Sequence, residues 1–216
     1  MCLFTVQNFE MPMTDFLDNF PLFPIGVIVL PGEIQPLHIF EPRYKQLIRD
    51  MEASKGVFGI PYVVDGKICK YGSAVVLHKI LAVSPTGEMD ILVKGVNIFR
   101  LESMNEQMTE KLYGGGSVKI LSQINTEPSD ELRQKFEEYQ HQLARINKLD
   151  AKQDLIPQNI HILNIAGQLP LELNEKYSFL KLENQEQRED FLLNKLNFLL
   201  VINQKLEEVG YRFYLN

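Results

Sequence analysis

The chain holds 216 residues, 45% hydrophobic and 23% charged, ordinary values for a folded protein with one large domain or two small ones. A formal net charge of −6 and a pI near 5.3 speak against a nucleic-acid binder held by phosphate contacts, which wants a basic face. Two cysteines, Cys2 and Cys69, make neither a disulfide framework nor a zinc site, and they fit a reducing, cytoplasmic setting.

The opening stretch MCLFTVQNFEMPMTDFLDNF lacks a basic region and is interrupted by acids, so it reads poorly as a secretion signal. Residues 1–18 are expected to be an N-terminal extension, with Met11 and Met13 as alternative starts. No apolar run is long enough to span a bilayer. From residue 19 to 126 the pattern is that of a β-rich domain. Ile25-Gly26-Val27-Ile28-Val29-Leu30 reads as a strand closed by Pro31-Gly32. Pro36 to Phe40 reads as a second strand and Pro42 as the first residue of a helix, where a missing N–H costs nothing. Tyr44, Leu47, Ile48 and Met51 then form one apolar stripe, with Lys45, Arg49 and Asp50 facing outward.

Val57 to Ile60 and Tyr62 to Val64 lead into Asp65-Gly66, a tight hairpin dipeptide. Ser73 to Val83 is a longer strand that turns at Ser84-Pro85-Thr86-Gly87. Asp90 to Val93 and Val96 to Leu101 follow, with Gly95 between them as a bulge or bend. Gly114-Gly115-Gly116 opens a last strand, Val118 to Leu121. Short, frequently punctuated strands point to a small antiparallel barrel or two packed sheets.

After Pro128 the period becomes helical, and residues 127–216 are expected to form an α-helical subdomain. Leu132, Phe136, Tyr139, Leu143 and Ile146 form a seam behind a cap at Ser129 or Asp130. Ile156, Ile160, Leu163 and Gly167 mark a shorter helix ended by Leu169-Pro170. Asn174 is a candidate cap for a third, with Leu173, Tyr177 and Leu180 inward. Asn184 opens a long helix from Gln185 to Val209, with Gly210 as its terminator. One seam of that helix is Leu192, Leu196, Leu199 and Leu206; a second is Phe191, Phe198, Ile202 and Val209.

The chemistry-bearing motifs are few. No phosphate-loop signature and no Gly-x-Ser-x-Gly elbow occurs, and Gly114-Gly115-Gly116 precedes a strand where a phosphate loop must precede a helix. His38, His78, His141 and His161 lie far apart, so neither a metal set nor a cofactor site is expected. His38, Glu41 and Arg43 admit two readings. They are an acid/base or ion-pair site, or they join the strand to its helix, with the Glu41 carboxylate accepting N–H groups at the helix start. The second is the stronger, because catalysis wants a second cluster and none stands out.

Phe20-Pro21-Leu22-Phe23-Pro24, Val29-Leu30-Pro31-Gly32 and Pro36-Leu37-His38-Ile39-Phe40-Glu41-Pro42-Arg43-Tyr44 together resemble the start of the Lon protease N-terminal, substrate-binding domain. Phe58-Gly59-Ile60, Gly72, the stretch Gly87 to Arg100, and Ala166-Gly167-Gln168-Leu169-Pro170-Leu171 with Glu175-Lys176 extend the resemblance to about Val209. Asn97-Ile98-Phe99-Arg100 departs from it by placing the aromatic before the arginine. The resemblance implies an α+β fold, a PUA-like antiparallel β domain followed by a C-terminal helical bundle. It also implies a non-catalytic module that binds unfolded or exposed protein segments, as an adaptor in quality control or beside a separate protease. The ATPase and Ser–Lys protease modules of full-length Lon would follow this region, and the sequence ends at Asn216, so no enzyme activity is expected. RNA binding is the alternative, since PUA-like folds also serve RNA. The binding surface is expected in a cleft between the β domain and the helices. Phe40, Arg43 and Tyr44 are expected at its rim.

Overall fold

The computed structural model describes residues 15–121, 126–147, 159–182 and 184–213. Cys2, Met11, Met13 and Ile156 lie outside them, as does the side chain of Val209. The elements in order are β1 (Phe16–Pro21), β2 (Ile34–Ile39), α1 (Pro42–Ser54), β3 (Val57–Val64), β4 (Lys67–Val83), β5 (Met89–Asn105), β6 (Gly115–Ile120), α2 (Asp130–Ile146), α3 (Ile162–Ala166), α4 (Leu173–Leu180) and α5 (Gln185–Phe213). The architecture is α+β: an antiparallel six-stranded sheet, then helices. Strand order is β1-β6-β5-β4-β3, with β2 added to β5. The sheet stays open. Between β1 and β2, the isolated bridges Leu22–Gly59 and Ile25–Tyr62 link the chain to β3.

Local signals build the hairpins. Asp65 and Gly66 both take positive φ, 50° and 72°, the conformation that a two-residue turn between right-twisted strands requires. β5 runs unbroken through Gly95, where the two strands expected from the sequence are one. Ala74 faces Asn97 and Val75 faces Gly95, so Val96 is the extra residue of a bulge. Gly95 is needed because the Leu30 backbone crosses it: a Cβ there would lie 2.2 Å from the Leu30 carbonyl oxygen.

The run Ile25 to Leu30 is not a strand beyond the single bridge at Ile25. Its apolar residues are buried for another reason: the segment is a wedge between two cores. Ile28 and Leu30 join the helix-side core, while Val29 joins the core beneath α1. Side chains satisfy its backbone where a ladder would otherwise do so. The Val29 N–H donates to Ser73 Oγ at 2.8 Å and the Leu30 N–H to the Glu33 carboxylate at 2.7 Å.

The α1 stripe is as expected, with Tyr44, Leu47, Ile48 and Met51 buried. Ser129 caps α2, accepting from the Leu132 N–H. The cap of α4 is Glu172 in place of Asn174, because Glu172 and Glu175 form a reciprocal capping box. Leu173 consequently sits in the first turn and is exposed. α5 continues past Gly210 to Phe213. Its buried line is Arg188, Leu192, Leu196, Leu200 and Asn203, while Phe198, Val201, Ile202 and Leu206 remain exposed.

Candidate functional site

Glu41 is the N-cap residue of α1, yet its carboxylate makes no cap hydrogen bond. It accepts instead from Arg43, with Nε 2.8 Å away. Pro42 at the helix start leaves one N–H fewer to satisfy, and the Glu41 carbonyl takes the Tyr44 and Lys45 N–H groups. The expectation that the Glu41 side chain is the acceptor is therefore corrected: a guanidinium two residues away competes better for the carboxylate.

Arg43 also lies over the Tyr44 ring, 4.5 Å from its centroid. Tyr44 itself is only 6% exposed and packs against Phe23 with ring centroids 4.1 Å apart. Burial pushes its hydroxyl pKa up, against a smaller downward pull from Arg43. The three rim candidates thus divide. Phe40 is 59% exposed and Arg43 is exposed, whereas Tyr44 supports them from below. Phe40 stacks on His38 at 6.1 Å, and His38 Nδ1 meets Asp90 Oδ1 at 2.8 Å.

These pairs lie open to solvent, without the burial that tunes acid/base groups. Among the described residues no three His, Cys, Asp or Glu side chains gather as metal ligands. His78 and His141 are exposed, and His161 precedes α3. The Tyr113 hydroxyl has its pKa raised by burial and by its hydrogen bond to Asp50. That group ties α1 to the loop before β6, with Lys111 on the same carboxylate oxygen at 2.8 Å, and it has a structural task.

Among the described residues the sheet and the helices meet in a packed core. Ile28, Leu30, Tyr62 and Ile98 meet Leu163, Phe179, Leu192 and Leu196 there. Lys176 bridges the two halves, bonding both Glu33 oxygens at 2.6 and 2.8 Å and the Ile28 carbonyl at 3.3 Å.

One accessible apolar surface lies on the outer side of β2, apart from the exposed face of α5. Ladder register puts Ile34 beside Lys94, Pro36 beside Leu92 and His38 beside Asp90. Across β5, Leu92 faces Lys79 and Asp90 faces Ala82, with register shifts on either side of Ile80. Pro36, Leu37, His38, Leu81, Asp90 and Ile91 line a shallow open depression of about 440 Å³. Ile34 and Leu81 are 50% and 52% exposed. Lys79 and Lys94 have no ion-pair partner among the described residues. The sequence pointed to Phe40 and Arg43, which are exposed beside this face, and did not single out Ile34, Leu81, Lys79 or Lys94. The available signal was Pro36, since a proline inside a strand marks an edge.

The chain is similar over residues 19–197 to the family model of the ATP-dependent protease La (LON) substrate-binding domain. Its structure resembles that of a Lon N-terminal domain protein from Xanthomonas campestris, at 25% identity and a TM-score of 0.59, covering 81% of this chain and 96% of that one. It also shares the fold of the N-terminal domain of a Mycobacterium avium complex Lon protease, at 16% identity and a TM-score of 0.54, covering 82% of this chain and 97% of that one. A search of curated proteins finds no match. No helix among the described residues is long and apolar enough to cross a membrane.

Proposed function

The chain belongs to the family of ATP-dependent protease La (LON) substrate-binding domains, and from that premise we propose that it recognises exposed, unfolded segments of other proteins and passes them to a separate protease. The observation that carries this reading is the family match across residues 19–197, nearly the whole chain. The surface fits the role. Unfolded segments expose apolar side chains, and the outer face of β2, β5 and β4 offers Ile34, Pro36, Leu81 and Phe40 to them. Phe40 and Arg43 form the rim, and the buried Tyr44 ring holds Arg43 in place. The chain acts as an adaptor without chemistry of its own.

The competing RNA reading would need a row of cations along the backbone path of the nucleic acid. This face supplies Lys79 and Lys94 on a chain of net charge −6. The test uses the purified full chain with a carboxymethylated, permanently unfolded protein, the same protein folded, and a single-stranded RNA. Binding of the unfolded form alone, with no ATP hydrolysis and no cleavage, is the expected result. Preference for the RNA would contradict it, as would turnover abolished by a point change in this chain.

A further inference from the structure

We propose that the free edge of β2 takes up an extended segment of the recognised protein as an added antiparallel strand, with a long acidic side chain of that segment reaching across Ile34 toward Lys94. This rests on the recognition role above and specifies how the segment is held.

β2 pairs with β5 on one side and with no other strand among the described residues. The Gly95 N–H donates to the Glu33 carbonyl at 3.0 Å, which fixes which backbone groups face β5. A strand turns both polar groups of alternate residues to the same side. Gln35, Leu37 and Ile39 therefore direct theirs toward β5. Ile34, Pro36 and His38 direct theirs toward the open edge. Ile34 and His38 offer a donor and an acceptor each, and Pro36 offers the second lone pair of a carbonyl that already accepts from Gln35 Nε2 at 3.2 Å. An extended backbone is the chemistry that satisfies such a row. Side chains of the added strand would alternate, one set lying along Ile34, Pro36 and Phe40 on the outer face.

Pro36 also selects the occupant. Against a foreign strand it forfeits a single hydrogen bond. Against a second copy paired about Pro36, each proline would face the other and both sides would lose a donor at the centre. Charge points the same way. Lys79 and Lys94 have no ion-pair partner among the described residues, and Asp90 is engaged by His38. A second copy would bring like charges toward this face, whereas a segment carrying Glu or Asp complements Lys94.

The experiment uses the full chain and a synthetic nonapeptide of alternating Val and Thr with one central Glu. Two counterparts are N-methylated on alternate residues, one on each of the two sets. Fluorescence anisotropy reads affinity, and amide exchange reads protection at Ile34 and His38. The unmodified peptide is expected to bind and to protect both amides. One N-methylated set is expected to bind about tenfold or more weakly, because it removes the donors that face β2, and the other to bind normally. Replacing the central Glu by Lys should weaken binding several-fold, and Lys94→Glu should reverse that preference. Equal affinity for both N-methylated peptides would overturn strand addition. So would unprotected Ile34 and His38 amides while the carboxymethylated protein still binds, a result that leaves the recognition role standing. Protection of these amides in the free chain, with dimers in sedimentation, would assign the edge to a second copy and also overturn it. Failure of the unfolded protein itself to bind would remove both proposals.

Discussion

The junction between sheet and helices and the outer face around β2 are both rich in apolar residues, but they use them in opposite ways. At the junction Leu30, Phe136, Phe179 and Leu196 are fully buried, and Lys176 is held by two Glu33 oxygens and a backbone carbonyl. On the outer face Ile34, Phe40 and Leu81 are half or more exposed, and Lys79 and Lys94 lack ion-pair partners among the described residues. A region whose apolar side chains are buried inside the molecule contributes to folding. A region with unspent apolar area and unpaired charge is available to a partner. The contrast is why the proposed recognition surface is put at a sheet edge and not at the junction of sheet and helices.

The sharpest separation should come from the junction. Phe136→Ala removes a fully buried ring from its core and should cost about 3–5 kcal/mol in a denaturant melt. If it costs as little as a surface change, the junction is not the packed core described here.

Acid should loosen the molecule through groups remote from the outer face. Asp50 is raised by burial but more strongly lowered by Lys111 and Tyr113, so its pKa lies below the usual value. Glu175 is lowered by Lys195 and by the Glu172 backbone N–H. A carboxylate with a depressed folded-state pKa adds stability that is complete above its unfolded value and disappears as pH falls through the folded one. Each should therefore stabilise the fold at neutral pH and lose that contribution as pH falls below the ordinary carboxylate range. Asp50→Asn together with Glu175→Gln should flatten that part of a stability-versus-pH curve. An unchanged curve would show that these contacts do not persist in solution.

On the outer face the pattern inverts. Leu81→Ser should leave stability within about 0.5 kcal/mol and still weaken binding to an unfolded protein several-fold. Glu41→Ala should be the mildest change. A side-chain cap is worth about 1 kcal/mol, but this carboxylate caps nothing, so about 0.5 kcal/mol or less is expected for its exposed pair with Arg43. A loss near the full cap value in the melt would restore the capping role.

What could be read from the sequence was what neighbouring residues decide. The Asp65-Gly66 turn, the α1 stripe and the Ser129 cap depend on local geometry and emerged as expected. Ile25 to Leu30 misled because its burial comes from a wedge position, with Ser73 supplying a partner from far along the chain. Glu172 displaced Asn174 as a cap because the reciprocal bond to Glu175 outweighs the usual preference for Asn. Of the candidate site, Phe40 and Arg43 were legible from the strand-to-helix joint. Leu81 was not, because shifts of register near Ile80 set which face it reaches, and those exist only once β4 pairs with β5.

The most direct measurement is hydrogen exchange over the full chain, with and without the carboxymethylated protein. New protection along β2 and the adjoining stretch of β4, with the junction helices α3 and α4 unchanged, is the expected pattern. New protection confined to α3, α4 and the Ile28–Glu33 segment would contradict the assignment of recognition to the outer face.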